Sequence, residues 1–186
     1  ALPGLFDGLR PLLAGGCWLR ANLAWEQRDP AATLAWLEAT VALDARPVYF
    51  WVNGARMIAY DLPEWEPGPD PRRVEACTQR ALGFLEQGLR RHGDDPAILI
   101  ELANLHLRRR GDLARAAACY RRAAEQPGAP YYAARIHAEL LQALGRPDEA
   151  LAWLRSLLPT LPAHEPAARR TVVEARIRAL EAATGP

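Results

Sequence analysis

The sequence predicts an all-α chain of stacked helix pairs, and three observations predict it. First, small and large residues recur 34 positions apart: Gly111 with Gly145, Ala116 with Ala150, Tyr120 with Leu154, Ala123 with Leu157. Such a period marks repeats that bury their apolar faces only by stacking. Second, helix punctuation recurs. Asp94-Asp95-Pro96 supplies acidic residues and a proline at a start. Arg108-Arg109-Arg110-Gly111 and Arg90-Arg91-His92-Gly93 place basic charge in a last turn and glycine just past it. Leu144-Gly145-Arg146-Pro147 reads as a stop followed by the next start. Third, no segment alternates like a strand for any length. Val48-Tyr49-Phe50-Trp51-Val52 has strand propensity, but the repeat phase places it in a helix.

Taken in order, the first sixteen residues carry Pro3, Gly4, Gly8 and Pro11, and predict an irregular lead-in. Ala21, Ala24, Asp29, Thr33, Leu37, Thr40 and Leu43 fit a first helix pair. Trp51, Ala55, Ile58, Ala81, Leu85 and Gly88 fit a second. Leu102, Ala103, His106, Gly111, Asp112, Ala116, Tyr120 and Ala123 fit a third. Ala138, Leu141, Gly145, Ala150, Leu154, Leu157 and Pro162 fit a fourth. The small residue of each second helix runs Thr33, Ala81, Ala116, Ala150, with spacings of 48, 35 and 34. The first spacing holds an insertion at residues 61–71, where Pro63, Pro67, Pro69 and Pro71 exclude helix interior. This segment is expected to be exposed, with a lengthened second helix after it. The stretch at roughly 167–183 is amphipathic and reads as a closing helix.

These residues resemble the tetratricopeptide repeat (TPR) pattern, over roughly residues 15–183 and most strongly over 95–162. The resemblance implies a right-handed α-solenoid of about four TPR helix pairs plus a C-terminal capping helix. It would form a single domain over 17–183, with the Pro-rich insertion at 61–71. The implied role is binding of a protein or peptide partner through the concave groove.

Composition narrows the chemistry. All 23 basic residues are Arg, against 22 acidic residues, for a net charge of +1. Without lysine there is no Schiff base and no P-loop lysine. The near-balanced charge argues against a nucleic-acid partner. The one serine, Ser156, lacks a Gly-x-Ser-x-Gly elbow. Cys17, Cys77 and Cys119 form no C-x-x-C pair, and are expected as buried free thiols. His92, His106, His137 and His164 fall in different repeats, without metal-ligand spacing. His106 and His137 are expected near the core. No catalytic residue, cofactor site or metal site is therefore expected, nor an enzyme. The apolar run at 12–19, between Arg10 and Arg20, is too short to span a membrane. The chain begins without methionine. That reads either as a trimmed methionine or as removal of an upstream signal or membrane anchor, so the location stays open between the cytoplasm and the soluble part of an anchored or exported protein.

The repeat phase points one set of first-helix residues into the groove: Trp18, Asn22, Tyr49, Asn53, Arg56, Tyr60, Asn104, Tyr132, Arg135 and Glu139. Trp65, between prolines in the insertion, is a further contact candidate, tucked down or offered to a partner. In TPR domains that clamp a peptide's terminal carboxylate, Asn occupies places matched here by Asn22 and Asn53. The basic places of that clamp are here Trp18, Ala97 and Glu101, so a carboxylate would meet a like charge. That clamp is not expected, although the two Asn could still hold a peptide backbone. The alternative function is a structural subunit of a larger, membrane-associated or soluble assembly. It would pack through its convex face, its ends or the 61–71 loop.

Overall fold

Aspartate and proline fix where the helices begin. Asp29, Asp70, Asp95 and Asp112 each accept a backbone N–H of the first turn, as in the 2.9 Å bond from Ala97 N to Asp95 Oδ1. Each satisfies a donor that the helix itself cannot. Pro30, Pro71 and Pro96 follow at the first helical position, where the missing N–H costs nothing. At the other end, Gly111 takes the left-handed conformation (φ 64°), and Asp112 N–H reaches back to His106 O at 2.9 Å.

The computed structural model describes residues 3–65, 67–68 and 70–184, with side chains from residue 8 to residue 183. Its elements are all helical, with no strand among the described residues. The order is four helix pairs and a ninth helix, as the sequence predicts. The chain divides into two compact units, Ala1–Gly93 and Asp94–Pro186.

The first unit holds α1 (Pro3–Glu26), α2 (Pro30–Leu43), α3 (Val48–Arg56) and α4 (Pro71–His92). α1 packs along α2, and α3 along α4. Leu37, Ala55, Ile58, Ala81 and Leu85 are fully or almost fully buried. Thr33, Thr40 and Thr78 are buried too, and each hydroxyl donates to the carbonyl four residues back at 2.7–2.8 Å. A satisfied hydroxyl can thus occupy a small-residue position without an orphaned donor. Trp51 is buried with its indole N–H on Ala45 O (2.9 Å), and His92 Nε2–H donates to the same oxygen (2.8 Å).

The second unit holds α5 (Pro96–Arg110), α6 (Leu113–Ala124), α7 (Tyr131–Ala143), α8 (Pro147–Leu157) and α9 (Arg170–Thr184). α5 packs on α6, α6 on α7, α7 on α8 and α8 on α9. Ala138, Ala150, Leu154, Leu161, Val173 and Ile177 form one apolar cluster, so α9 closes the last pair. Arg170 donates to the carbonyls of Leu158 and Leu161 at 2.9 and 3.0 Å, which fixes the turn before α9. The four small positions, Thr33, Ala81, Ala116 and Ala150, are all completely buried, so the repeat phase holds in both units.

Two expectations change. The predicted irregular lead-in is helical from Pro3, and α1 runs through Pro11, Gly15 and Gly16; Ala1 and Leu2 lie outside the described residues. Pro11 removes one helical hydrogen bond, while packing of α1 on α2, with Ala14 and Ala21 fully buried, supplies what propensity lacks. The second change concerns the insertion at 61–71. Its non-α character is observed, but its first part is not exposed. α3 runs on through a π turn (Met57–Asp61) and a 3-10 turn (Leu62–Glu64), and Leu62 and Pro63 are buried. Arg73 of α4 donates to Pro63 O at 3.0 Å and to Gly68 O at 2.8 Å, and so ties the segment down. Glu66 and Pro69 lie outside the described residues. α4, at 22 residues, is the lengthened second helix.

Candidate functional site

In the first unit, α1 and α3 bring an aromatic group together. The Trp18 ring lies 5.3 Å from Tyr49, edge to face, and 5.2 Å from Phe50. Tyr49 opens α3 and is 58% exposed, so it offers a ring face beside half-buried Trp18. Asn22 and Asn53 donate from Nδ2 to the carbonyls of Trp18 (2.7 Å) and Tyr49 (3.0 Å), one turn back. One amide hydrogen of each is thereby committed to its own helix, and one hydrogen and the amide oxygen remain for a ligand. Arg56 ends α3 and is exposed, whereas Tyr60 is half-buried within the π turn. Trp65 is half-buried, with its backbone N–H on Leu62 O at 3.4 Å.

A hollow of about 730 Å³ lies on the second-helix side of this unit, between α2 and α4. Arg80, Arg90 and Arg91 line it, and Arg80 is paired with Glu38 at 2.6 Å.

In the second unit, two of the expected groove residues have structural work. The Asn104 oxygen accepts the Tyr120 hydroxyl at 2.7 Å, and its Nδ2 faces Glu101 Oε2 at 3.5 Å. Glu101 is 1% exposed, so Asn104 belongs to a buried polar group on α5. Arg135 donates from one terminal nitrogen to the carbonyls of Ala167 and Ala168, at 3.3 and 3.2 Å, and so ties α7 to the turn before α9. Burial, followed by the like charge of Arg169, lowers its pKa, and Glu139 opposes the shift. Tyr132 and Glu139 are exposed on the same helix.

Arg135 and Glu139 nevertheless line a groove of about 410 Å³ between α7 and α9. Ala138, Leu154 and Val173 give it an apolar floor, and Val172 (51% exposed) and Arg176 come from α9. Val172 and Arg176 were missed because α9 reads as a cap. Continuing the first-helix phase one further repeat would have placed α9 beside α7.

His137, also on α7, is buried. Its Nδ1–H donates to Ala117 O at 2.9 Å, and its ring meets Trp153 edge-on at 4.8 Å. Burial lowers its pKa, partly offset by that hydrogen bond. The three cysteines, expected buried, are free and only half-buried, and burial raises the Cys119 thiol pKa. Among the described residues, no three His, Cys, Asp or Glu side chains gather as a metal site would need, and no helix is long and apolar enough to cross a membrane.

No family model matches the chain, and no curated protein matches it. Among solved structures, the chain is similar to a crystal structure of nearly identical TPR-like repeats from Podosopora anserina. Identity is 17% over 97% of this chain and 98% of that one, with a TM-score of 0.45. The helix-pair assignment rests on the chain's own packing, above all on the four buried small residues.

Proposed function

We propose that the protein is an interaction module that holds a segment of a partner protein, with the α7–α9 groove as its main contact. The observation that carries this reading is the groove's composition. An apolar floor of Ala138, Leu154 and Val173 is flanked by Arg135, Arg176 and Glu139. A groove of this size takes a few side chains, and such a floor with charges of both signs at its edge suits an amphipathic peptide. The Trp18–Tyr49 face of the first unit is a second, separate contact candidate, built for stacking and amide hydrogen bonds.

The test is photo-crosslinking in the native organism, with a photoreactive residue at Val172 and the captured partner segment mapped by mass spectrometry. One defined segment is expected. It should be lost in the charge-reversal variant Arg176→Glu and kept in Asn53→Ala/Arg56→Glu. Capture that ignores Arg176→Glu, or no defined segment, refutes the groove. Loss only in the Asn53/Arg56 variant transfers the role to the first unit. The other reading, an assembly subunit, is favoured by one observation: α1 leaves five leucines 45–71% exposed.

A further inference from the structure

We propose that α1 is the interface of a symmetric homodimer, formed by its exposed leucine stripe against the same stripe of a second copy. This inference is independent of the α7–α9 groove. The stripe is Leu9, Leu12, Gly16, Leu19 and Leu23, with steps of three, four, three and four residues. Leu9, Leu12, Leu19 and Leu23 are 45, 71, 65 and 48% exposed, and Leu13 beside them is 56% exposed. In the sequence the same spacing reaches back to Leu5 and Leu2. The other face of the helix carries Ala14, Ala21 and Ala24, which are buried where α1 packs on α2. α1 is thus apolar on two opposite faces, and only one is covered.

The spacing selects the occupant. A flat lipid surface needs only a broad apolar face. An average step of 3.5 residues keeps a seam aligned with a second helix, whose side chains fit the holes between the first's. Between Leu9 and Leu23 the stripe carries no charge, so like against like meets no repulsion there; Arg20 borders it, Arg10 lies off it, and the next place in the spacing, at the end of α1, is Glu26. Gly16 is at its middle, and a Cβ built there would have nothing within 4 Å, so a second backbone can approach closely. The area fits a weak, reversible contact. A helix of 24 residues is about 36 Å long and about 10 Å across. Two such faces laid together cover about 360 Å² each, roughly 720 Å² in all, the size of a transient interface and not of a permanent one. A patch used against its own copy is the ordinary form of a two-fold dimer.

The experiment is sedimentation velocity of the purified full chain under reducing conditions, from about 1 to about 100 μM. A monomer–dimer equilibrium is expected. Leu12→Glu/Leu19→Glu should weaken it at least 100-fold at unchanged helical circular dichroism, and Leu12→Met/Leu19→Met should keep it. A wild-type monomer throughout the range overturns the proposal, as does a dimer that persists in the Glu variant. Flotation of that monomer with phosphatidylcholine–phosphatidylglycerol vesicles would identify lipid as the occupant and equally overturn it. Should the Glu variant lose helix content, Gly16→Cys decides, since the site has room. Under mild oxidant it should give an interchain disulfide that the wild type does not, and an exclusively monomeric product overturns the proposal.

Discussion

The indole Nε1–H of Trp25, near the end of α1, donates to Asp61 Oδ2 at 2.8 Å, across 36 positions of sequence. Asp61 closes the π turn, so this bond fixes where α3 gives way to the Pro-rich connection. Trp25→Phe keeps the ring and removes the donor. Both groups reach solvent, so the expected loss is about 1 kcal/mol, or about 2–4 °C in melting temperature. A double-mutant cycle with Asp61→Ala should return the same coupling, and zero coupling would show that water replaces the bond at no cost.

Arg73 should control the 61–71 connection. Its two contacts to Pro63 O and Gly68 O are charge-assisted. Arg73→Met should raise the rate of subtilisin cleavage within 61–71 about tenfold, which corresponds to about 1.4 kcal/mol. Helix content should not change. A cleavage rate equal to wild type would mean that burial of Leu62 and Pro63 alone holds the segment.

Close packing makes two more substitutions informative. A Cβ at Gly54 would lie 2.9 Å from Phe84 Cε1 and 3.3 Å from Cζ. The Phe84 ring is buried against Trp51, with centroids 4.9 Å apart, and has little room to move. Gly54→Ala should therefore cost about 1–3 kcal/mol despite its better helix propensity. Ala150→Leu should cost a similar amount, because the Ala150 side chain has no accessible surface. Arg146→Ala, four residues earlier, breaks only a surface ion pair with Glu149 and should be nearly neutral. Thermal melts of the three variants test the order; equal values for Ala150→Leu and Arg146→Ala would show the repeat phase to be wrong.

The stability of the second unit should fall in mild acid through His137. Its folded pKa lies below the ordinary value of about 6.5. The unfolded chain then binds the proton more tightly than the folded one. The contribution is complete above about pH 6.5 and declines as pH falls toward the folded value. Urea melts between pH 5 and 7.5 should show this slope, and His137→Asn, which keeps an N–H donor, should flatten it. An identical slope in both proteins would assign the acid sensitivity to carboxylates.

The fold was legible where the rule is local and strict. Two helices in close contact need a small side chain, and Thr33, Ala81, Ala116 and Ala150 announce that contact at spacings of 48, 35 and 34, the first stretched by the insertion. The start of α1 was not legible, because Pro11 and the glycines are outweighed by packing on α2 that propensity does not contain. The π turn after Arg56 leaves no mark in composition. For the site, the phase placed Trp18, Tyr49, Asn22 and Asn53 on α1 and α3, and Trp18 and Tyr49 meet there. It could not show that Asn104 is held by Tyr120, or that Arg135 serves carbonyls more than thirty residues away. Those partners are fixed by tertiary contacts, and the groove-facing residues of α9, Val172 and Arg176, escaped notice because a cap and a further first helix share one pattern.

The contact between His137 and Trp153 also equips the molecule with an optical reporter. Trp153 is the one tryptophan after residue 93, since the other five lie at positions 18, 25, 36, 51 and 65. An imidazolium quenches an adjacent excited indole far more strongly than neutral imidazole does. At 4.8 Å, protonation of His137 should therefore dim Trp153 emission before any unfolding begins. With the five earlier tryptophans replaced by phenylalanine, the remaining fluorescence would follow one proton at one buried site, and its midpoint would give the folded-state pKa without a denaturant.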